Sequence, residues 1–319
     1  MTAARDGEPG TLRPTRRSLP WQASFALLAA IWGCSFWWIK LGLTFLAPAQ
    51  VAFARTALGA LALGVILVMS RGHLPRARRT WRDLLVVGLL MNAIPATLFA
   101  YGETQVSSVL AGIINATTPL TTLTVVLLAY REESVTTERI AGLAVGFIGV
   151  LVVIGVWDGL GASDLLGIAA CAAAVTCYGI AYPYTRRHLA SLPEGPIAMA
   201  TGQVALGALV LLPFAALATG PGTSPSPDAL LGMLGLGVLG SGVAFALSYR
   251  IVAAAGSTTA STVTYLTPVV AVVVGTVFLS EQLTWHEPVG AAVVLLGVAI
   301  SQGRLRPSRR RAVAAATTD

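Results

Sequence analysis

The feature that most limits the fold of this chain is a series of ten long apolar runs, most of them free of charged residues. Most have about the 20 residues that a helix needs to cross the ~30 Å hydrocarbon core of a bilayer. The runs cover residues 21–41, 50–69, 84–100, 106–130, 140–156, 165–184, 197–217, 229–249, 257–279 and 288–303, the last starting nearer residue 284. Only 11% of the 319 residues are charged, less than half the roughly 25% usual in soluble domains. The runs predict an all-α polytopic membrane protein with ten transmembrane helices.

The basic residues fall on alternate loops between these runs. If the N-terminus is cytoplasmic, every lysine and arginine except Lys40 and Arg55 lies on a cytoplasmic loop or tail. Because cytoplasmic loops are enriched in basic residues, both termini are predicted to be cytoplasmic, in a multi-pass protein of the cell membrane. The net charge of +7 therefore reflects topology, and no nucleic-acid partner is predicted. The first run follows several arginines, as a signal peptide does, but it exceeds the ~7 to 15 apolar residues of a signal core and is expected to be retained.

The sequence divides into two halves of five runs each. Tyr101 and Tyr249 are 148 positions apart (249 − 101), and Gly142 and Gly290 have the same spacing. Since five is odd, the second half must enter the bilayer from the opposite side, which predicts a five-plus-five inverted repeat. The predicted domains are a cytoplasmic tail (1–20), a first repeat (21–156), an external linker (157–164), a second repeat (165–303) and a basic cytoplasmic tail (304–319).

One apolar run in each half is interrupted by a proline in polar surroundings. Pro119 ends the segment that starts at Asn115, and Pro268 ends the segment that starts at Thr264. In a bilayer such a break persists only where it is packed in protein or lines a cavity, because the freed carbonyl cannot reach water. A matched pair of breaks indicates a transporter binding site near the middle of the membrane.

Several segments resemble the EamA-type repeat of the drug/metabolite transporter superfamily. In the first half they are IWGCSFWWIK at 31–40, APAQVAFAR at 47–55, residues 107–119, and ESVT at 133–136 with Gly142. In the second half they are residues 173–187 and 257–268, and EQLT at 281–284 with Gly290. The resemblance implies ten helices, cytoplasmic termini and the export or exchange of small metabolites, often amino acids or their derivatives. The second half departs from it at Gln203, which stands where an arginine is common.

The candidate site residues are polar or aromatic side chains that lie deep in the runs or beside the breaks. An arginine in lipid costs ~2.5 to 3.5 kcal/mol or more, so Arg55 is expected to face the bundle interior, where it either binds cargo or ties helices together; reaching the outer headgroups is the alternative. Packing remains an alternative for the others. The substrate-binding candidates are Trp32, Arg55, Asn92, Asn115, Thr118, Tyr178, Tyr182, Tyr265 and Thr267, with Pro119 and Pro268 as the helix breaks.

Other notable residues have structural interpretations. Lys40 is expected to snorkel to the outer face, and Glu103 to be a solvated loop carboxylate. Gly142 and Gly146 have the small-residue spacing of a helix-packing or dimer face. Thr284 is predicted to begin a capping box for the last helix.

Composition and spacing disfavour an enzyme. No acidic residue lies in mid-run, and the three histidines fall in loops, so a deep nucleophile with a base is not predicted. The three cysteines have no CxxC spacing, so neither a metal site nor a disulfide is expected, and no cofactor or phosphate-binding motif is predicted. The predicted function is a secondary transporter that exports or exchanges a small polar metabolite by alternating access. Proton-coupled drug efflux and a membrane channel are the alternatives. The predicted partners are a small-molecule substrate and the lipid bilayer, and a homodimer is left open.

Overall fold

The computed structural model describes residues 20–129, 136–154, 157, 162–189, 192–280 and 282–301. Residues 1–19 and 304–319 of the predicted tails, Glu133, Glu281 and residues 158–161 of the predicted linker lie outside these residues. The described part is all helical, with two π-helical segments, here named π1 and π2, and one 3-10 turn. In chain order the elements are α1 (Trp21–Leu43), α2 (Pro48–Met69), α3 (Arg78–Gly88), π1 (Leu89–Ala93), α4 (Ile94–Gly102), α5 (Ser108–Asn115), α6 (Thr118–Ala129), α7 (Thr137–Ile154), α8 (Ala162–His188), α9 (Pro196–Leu217), α10 (Pro227–Leu234), π2 (Gly235–Val243), α11 (Ala244–Ser261), the 3-10 turn (Thr262–Tyr265), α12 (Thr267–Phe278) and α13 (His286–Ser301).

Seven helical segments of the described residues are long and apolar enough to cross a membrane. They are Trp21–Leu43, Pro48–Met69, Arg78–Gly102, Ser108–Val126, Asp164–His188, Pro196–Leu217 and Pro227–Ile251. Three shorter apolar helices accompany them: Ile140–Val153, Val269–Phe278 and His286–Gly297. The apolar outer faces of these helices expose large side chains such as Leu61 and Leu217, as expected of helices that face lipid.

Residues 250–256, between the eighth and ninth predicted runs, are helical in the structure, which the sequence did not predict. The sequence places a loop at residues 250–256, whereas α11 continues through Arg250 to Ser261. The segment contains no proline, and its alanines are strong helix formers, so the single exposed arginine does not end the helix.

The two runs in which Pro119 and Pro268 lie in polar surroundings are both interrupted in the structure. α5 ends at Asn115 and α6 begins at Thr118, so that Pro119 occupies the first turn of a helix, where a missing N–H removes no bond. In the second half the 3-10 turn precedes α12, which begins at Thr267. The Thr267 hydroxyl donates to the Thr264 carbonyl at 2.8 Å, and the Thr118 hydroxyl donates to the Asn115 carbonyl at 2.7 Å.

Glycines allow α7 and α13 to pack backbone against backbone. A methyl group added at Gly149 would lie 2.6 Å from the Val294 nitrogen, and one added at Gly297 would collide with the backbone of Gly146. The Gly142 carbonyl would lie 2.8 Å from that same methyl group. The spacing predicted helix packing or a dimer face, and within one chain these glycines pack against α13. At the start of α13 the Thr284 nitrogen donates to the Glu287 carboxylate at 2.9 Å, as in a capping box.

The two π-helical segments occupy corresponding places in the two halves. π1 ends at Ala93, and the position 148 residues later, Ser241, lies within π2. π1 lies against α9, where a methyl group at Gly207 would be 2.9 Å from the Asn92 Cβ. π2 lies against α2, where a methyl group at Gly59 would be 2.6 Å from the Ser241 Cβ. Each π-helical segment therefore packs closely against the second long helix of the opposite half.

Candidate functional site

A cavity lies between helices of both halves, at the level of the π-helical segments. Its volume of about 60 Å³ is several times the roughly 10 to 15 Å³ that one ordered water needs. The lining residues come from α1, α2, π1, α4, α5, α8, α11 and the 3-10 turn: Trp32, Ser35, Phe36, Ile39, Arg55, Thr56, Met91, Asn92, Ala96, Phe99, Asn115, Tyr178, Tyr182, Phe245 and Thr264. The cavity can hold several waters or the polar part of a small solute.

Arg55 is the basic residue that lines the cavity. It lies on α2, and its Nε donates to the Ser241 hydroxyl of π2 at 3.2 Å. That bond uses one of the five N–H donors of the guanidinium, so others can serve a ligand. Tyr178 and Glu103 are close enough to interact electrostatically with the guanidinium. Arg55 therefore both ties two helices together and borders the cavity, rather than reaching the outer headgroups.

Aromatic rings form much of the remaining wall. The Trp32 indole N–H donates to the Gly240 carbonyl of π2 at 3.2 Å, which satisfies the indole at depth. Its ring meets Phe245 edge to face, with centroids 6.1 Å apart. On the opposite wall Phe99 stacks on Tyr178, also at 6.1 Å. These rigid rings offer an apolar surface beside the guanidinium.

Asn92 contributes an amide to the cavity and is held by two residues of the second half. The Gln203 side-chain nitrogen donates to the Asn92 Oδ1 at 2.8 Å. The Tyr249 hydroxyl in turn donates to the Gln203 Oε1 at 2.7 Å. The Tyr249 hydroxyl thus has a buried glutamine as its partner.

Six of the nine predicted binding residues line this cavity. They are Trp32, Arg55, Asn92, Asn115, Tyr178 and Tyr182. Thr118 and Thr267 are fully buried and do not line it. Each hydroxyl donates instead to the carbonyl three residues earlier, where the usual backbone donor, four positions on, is a proline. The side chain of Tyr265 lies outside the described part of the chain, as does that of Pro268.

Several apolar lining residues were not predicted from the sequence. Phe36 and Ile39 follow Trp32 at positions i+4 and i+7, so they share its helix face. That spacing is a signal from which they could have been found. Met91 and Phe99 carry no comparable signal, because an apolar residue in a membrane helix is equally suited to face lipid.

Two expectations about charged residues at the ends of α1 and α4 are wrong. Lys40 turns inward, and its Nζ donates to the backbone carbonyls of Glu103 at 2.6 Å and Val106 at 2.9 Å. Glu103 is 1% exposed and is not a solvated loop carboxylate. It lies one helical turn beyond Phe99, in the layer next to the cavity. The small residues Gly102 and Gly167 let α4 and α8 approach closely here, which buries the carboxylate.

Within the described residues, no three histidine, cysteine or acidic side chains come together in a way that could hold a metal ion. The three cysteines Cys34, Cys171 and Cys177 are free thiols. The site therefore consists of one guanidinium, amides, hydroxyls and aromatic rings, an arrangement suited to binding a solute.

The two halves that form this cavity each match one protein family. The sequence profile of the EamA-like transporter family matches residues 20–155 and, separately, residues 165–302. The chain belongs to the EamA-like transporter family. Together with its apolar helices, this membership makes it a multi-pass membrane protein and points to transport rather than catalysis.

Two proteins similar to this chain along most of its length are named as uncharacterized transporters. An uncharacterized transporter of Archaeoglobus fulgidus is 25% identical over 282 residues, covering 86% of this chain and 96% of its own. The uncharacterized inner membrane transporter YedA of Escherichia coli K12 is 27% identical over 294 residues, covering 89% of this chain and 91% of its own. One solved crystal structure superposes with a TM-score of 0.63 at 18% identity, over 88% of this chain and 96% of the solved chain, and so shares the fold.

Proposed function

We propose that this EamA-family protein is a ten-span secondary transporter that exports or exchanges a small polar metabolite, such as an amino acid or a derivative, by alternating access. The observation that carries the proposal is the cavity itself. It is lined by both halves and brings a guanidinium, two amides and a wall of aromatic rings to the middle of the helices. Ligand sites of this kind combine apolar walls with a few fixed polar groups.

The proposed five-plus-five inverted repeat is supported by the pairing of α2 with α9. The Gln50 amide near the start of α2 donates to the Ala218 carbonyl at the end of α9, at 3.0 Å. Further along α2, Leu63 packs with Ala200 near the start of α9. The second long helices of the two halves are thus antiparallel, as halves of opposite orientation require. Residues 21–156 and 165–303 are the proposed repeats, joined by the linker 157–164.

The composition of the lining supports a zwitterionic or neutral polar cargo. Arg55 offers charged donors to a carboxylate or another acceptor. No acidic residue is among the lining residues of the described cavity, which disfavours a strongly cationic cargo. A single guanidinium would leave most of the charge of a polyanion uncompensated. The aromatic walls can accept the apolar part of the solute or, through their faces, an ammonium group.

The proposed orientation places both termini in the cytoplasm of a bacterial cell. The loop between α2 and α3 exposes Arg71 and Arg76, and the start of α3 exposes Arg78 and Arg79. The loop between α9 and α10, residues 218–226, contains no lysine or arginine. This asymmetry supports placing the first loop inside and the second outside.

The proposal is tested by exchange in proteoliposomes. Vesicles that contain the purified chain are loaded with a mixture of unlabelled neutral amino acids, and uptake of trace labelled amino acids is followed over time. We expect uptake that depends on the internal load and saturates. Uptake that needs no internal solute and does not saturate would indicate a channel. Robust exchange of a sugar phosphate or a hydrophobic cation, with none of amino-acid-like solutes, would refute the substrate class.

The burial of Glu103 keeps proton-coupled efflux as a second candidate. Such transport generally uses an ionisable carboxylate at depth, and Glu103 is buried beside the cavity and interacts with Arg55. Measuring exchange with and without an imposed pH gradient separates the two functions. Acceleration by the gradient that persists in Glu103→Gln would exclude this carboxylate from coupling.

A further inference from the structure

Each π-helical segment is bound by a polar side chain of the opposite half. In one place the Arg55 Nε of α2 donates to the Ser241 hydroxyl of π2 at 3.2 Å. In the other the Gln203 amide of α9 donates to the Asn92 Oδ1 of π1 at 2.8 Å. Arg55 and Gln203 correspond, because each is the eighth residue of its helix. Gln203, which departs from the family pattern, therefore forms in the second half the contact that corresponds to that of Arg55 in the first half.

These two contacts lie toward opposite ends of the bundle. The start of α2 meets the end of α9, where the Gln50 amide donates to Ala218. Gln203 instead lies where Leu63 of α2 packs between Ala200 and Val204. Eight residues of α2 separate Arg55 from Leu63, which amounts to about 12 Å along the helix. The cavity that Arg55 and Asn92 both line lies between the two contacts.

Both contacts are in closely packed surroundings. Ser241 and Gln203 are each 0% exposed. A methyl group at Gly88 of α3 would lie 2.7 Å from the Gln203 carbonyl, and one at Gly237 of π2 would lie 3.3 Å from the Arg55 carbonyl. No route from the cavity can pass between these helices while they are so close. A route between either pair of helices therefore requires that pair to separate and its hydrogen bond to break.

We propose that the Arg55–Ser241 contact and the Asn92–Gln203–Tyr249 contact are two latches that close the cavity toward opposite ends and open in alternation. The proposal rests on the proposed transport function and adds residues that position the moving helices. Ser241, Gln203 and Tyr249 do not line the cavity, so they act through Arg55 and Asn92 rather than on the cargo. Cargo that binds the terminal nitrogens of Arg55 would act on the same guanidinium whose Nε donates to Ser241, which links binding to the first latch.

The experiment measures from which side a cysteine in the cavity can be reached. Ala96 lines the cavity and belongs to neither latch, so Ala96→Cys is introduced into a chain whose three natural cysteines are replaced. A membrane-impermeant maleimide is added to intact cells and, separately, to inside-out vesicles. The readout is the ratio of the two labelling rates. Thr201→Val is the matched control, because its buried hydroxyl donates only within α9, to the Ile197 carbonyl at 2.7 Å.

We expect Ser241→Ala and Gln203→Met to change the labelling ratio in opposite directions, each by about three-fold, as the loss of a typical interhelical hydrogen bond in a membrane predicts. Tyr249→Phe should shift the ratio in the same direction as Gln203→Met but less, and it keeps the proposal testable if Gln203→Met fails to fold. Thr201→Val should leave the ratio unchanged.

The outcomes separate the latches from the proposed function. If the cysteine in the parent chain is labelled from both sides but the latch variants leave the ratio unchanged, or move it in the same direction, the latches are refuted while the transport pathway stands. If the cysteine is labelled from neither side, the cavity is not the transport pathway and both proposals are overturned.

Discussion

Replacing Arg55 with lysine is the sharpest test of the cavity. The guanidinium donates from Nε to Ser241 and keeps its terminal nitrogens for a ligand, whereas lysine has one nitrogen and cannot do both in the same geometry. The variant retains the charge but loses at least one charge-assisted hydrogen bond, worth about 1.5 to 3 kcal/mol. We therefore expect the apparent affinity for cargo to fall about ten- to a hundred-fold, while the amount of protein in the membrane is unchanged.

The assay is the exchange of labelled amino acids in proteoliposomes, with the KM and the amount of reconstituted protein measured for each variant. Arg82→Lys is the matched control, because the Arg82 side chain is 67% exposed and its ion pair with Asp83, at 3.2 Å, lies outside the cavity. Because lysine keeps the positive charge beside the buried Asp83 and lies outside the cavity, this control should transport normally. Normal transport by Arg55→Leu at equal membrane levels would show that the guanidinium does not bind cargo.

Three further predictions follow from the fold. A reporter inserted within residues 219–228 should be external and one at the C-terminus cytoplasmic, and an external C-terminus would overturn the inverted repeat. In the cysteine-free chain, Asn115→Cys should react with a water-soluble thiol reagent and be protected by cargo, because Asn115 lines the cavity. Thr267 is 0% exposed and does not line the cavity, so Thr267→Cys should react at least ten-fold more slowly. Equal reaction rates would place the cavity elsewhere. Gly297→Ala should reduce thermal stability, since its methyl group meets α7 backbone and overpacking costs about 1 to 3 kcal/mol. Gly64→Ala, within α2, has open space and replaces a glycine in a helix interior, so it should leave the melting temperature unchanged or raise it.

The positions of most helices could be predicted from the sequence, because a membrane span needs an uninterrupted apolar run and little else. The deep polar and aromatic residues were equally informative: Trp32, Arg55 and Asn92 are too polar to face lipid, and all three line the cavity. The boundary near Arg250 was not predictable from apolarity, because one arginine at a helix surface does not stop a helix whose neighbours are alanines.

The partners of the site residues depend on contacts between the halves, for which one sequence contains no signal. Nothing in the composition near Asn92 indicates a π-helical segment, because the change from α-helical to π-helical hydrogen bonding requires no particular residue type. The threonines beside the breaks were misleading for a physical reason. A hydroxyl next to a broken helix can point into a cavity or donate to a carbonyl at the break. The hydroxyls of Thr118 and Thr267 donate to the carbonyls three residues earlier.

The contact between α7 and α13 determines which parts of the molecule can move. Where these helices touch through glycine backbones, sliding or rocking would drive main-chain atoms such as those of Gly149 and Val294 into each other. The last helix of the first half, α7, is thus held firmly against α13, the last helix of the second half. A rearrangement that exposes the cavity must therefore move the other helices around the α7–α13 pair. A cargo bound at this pair would not favour one arrangement over another.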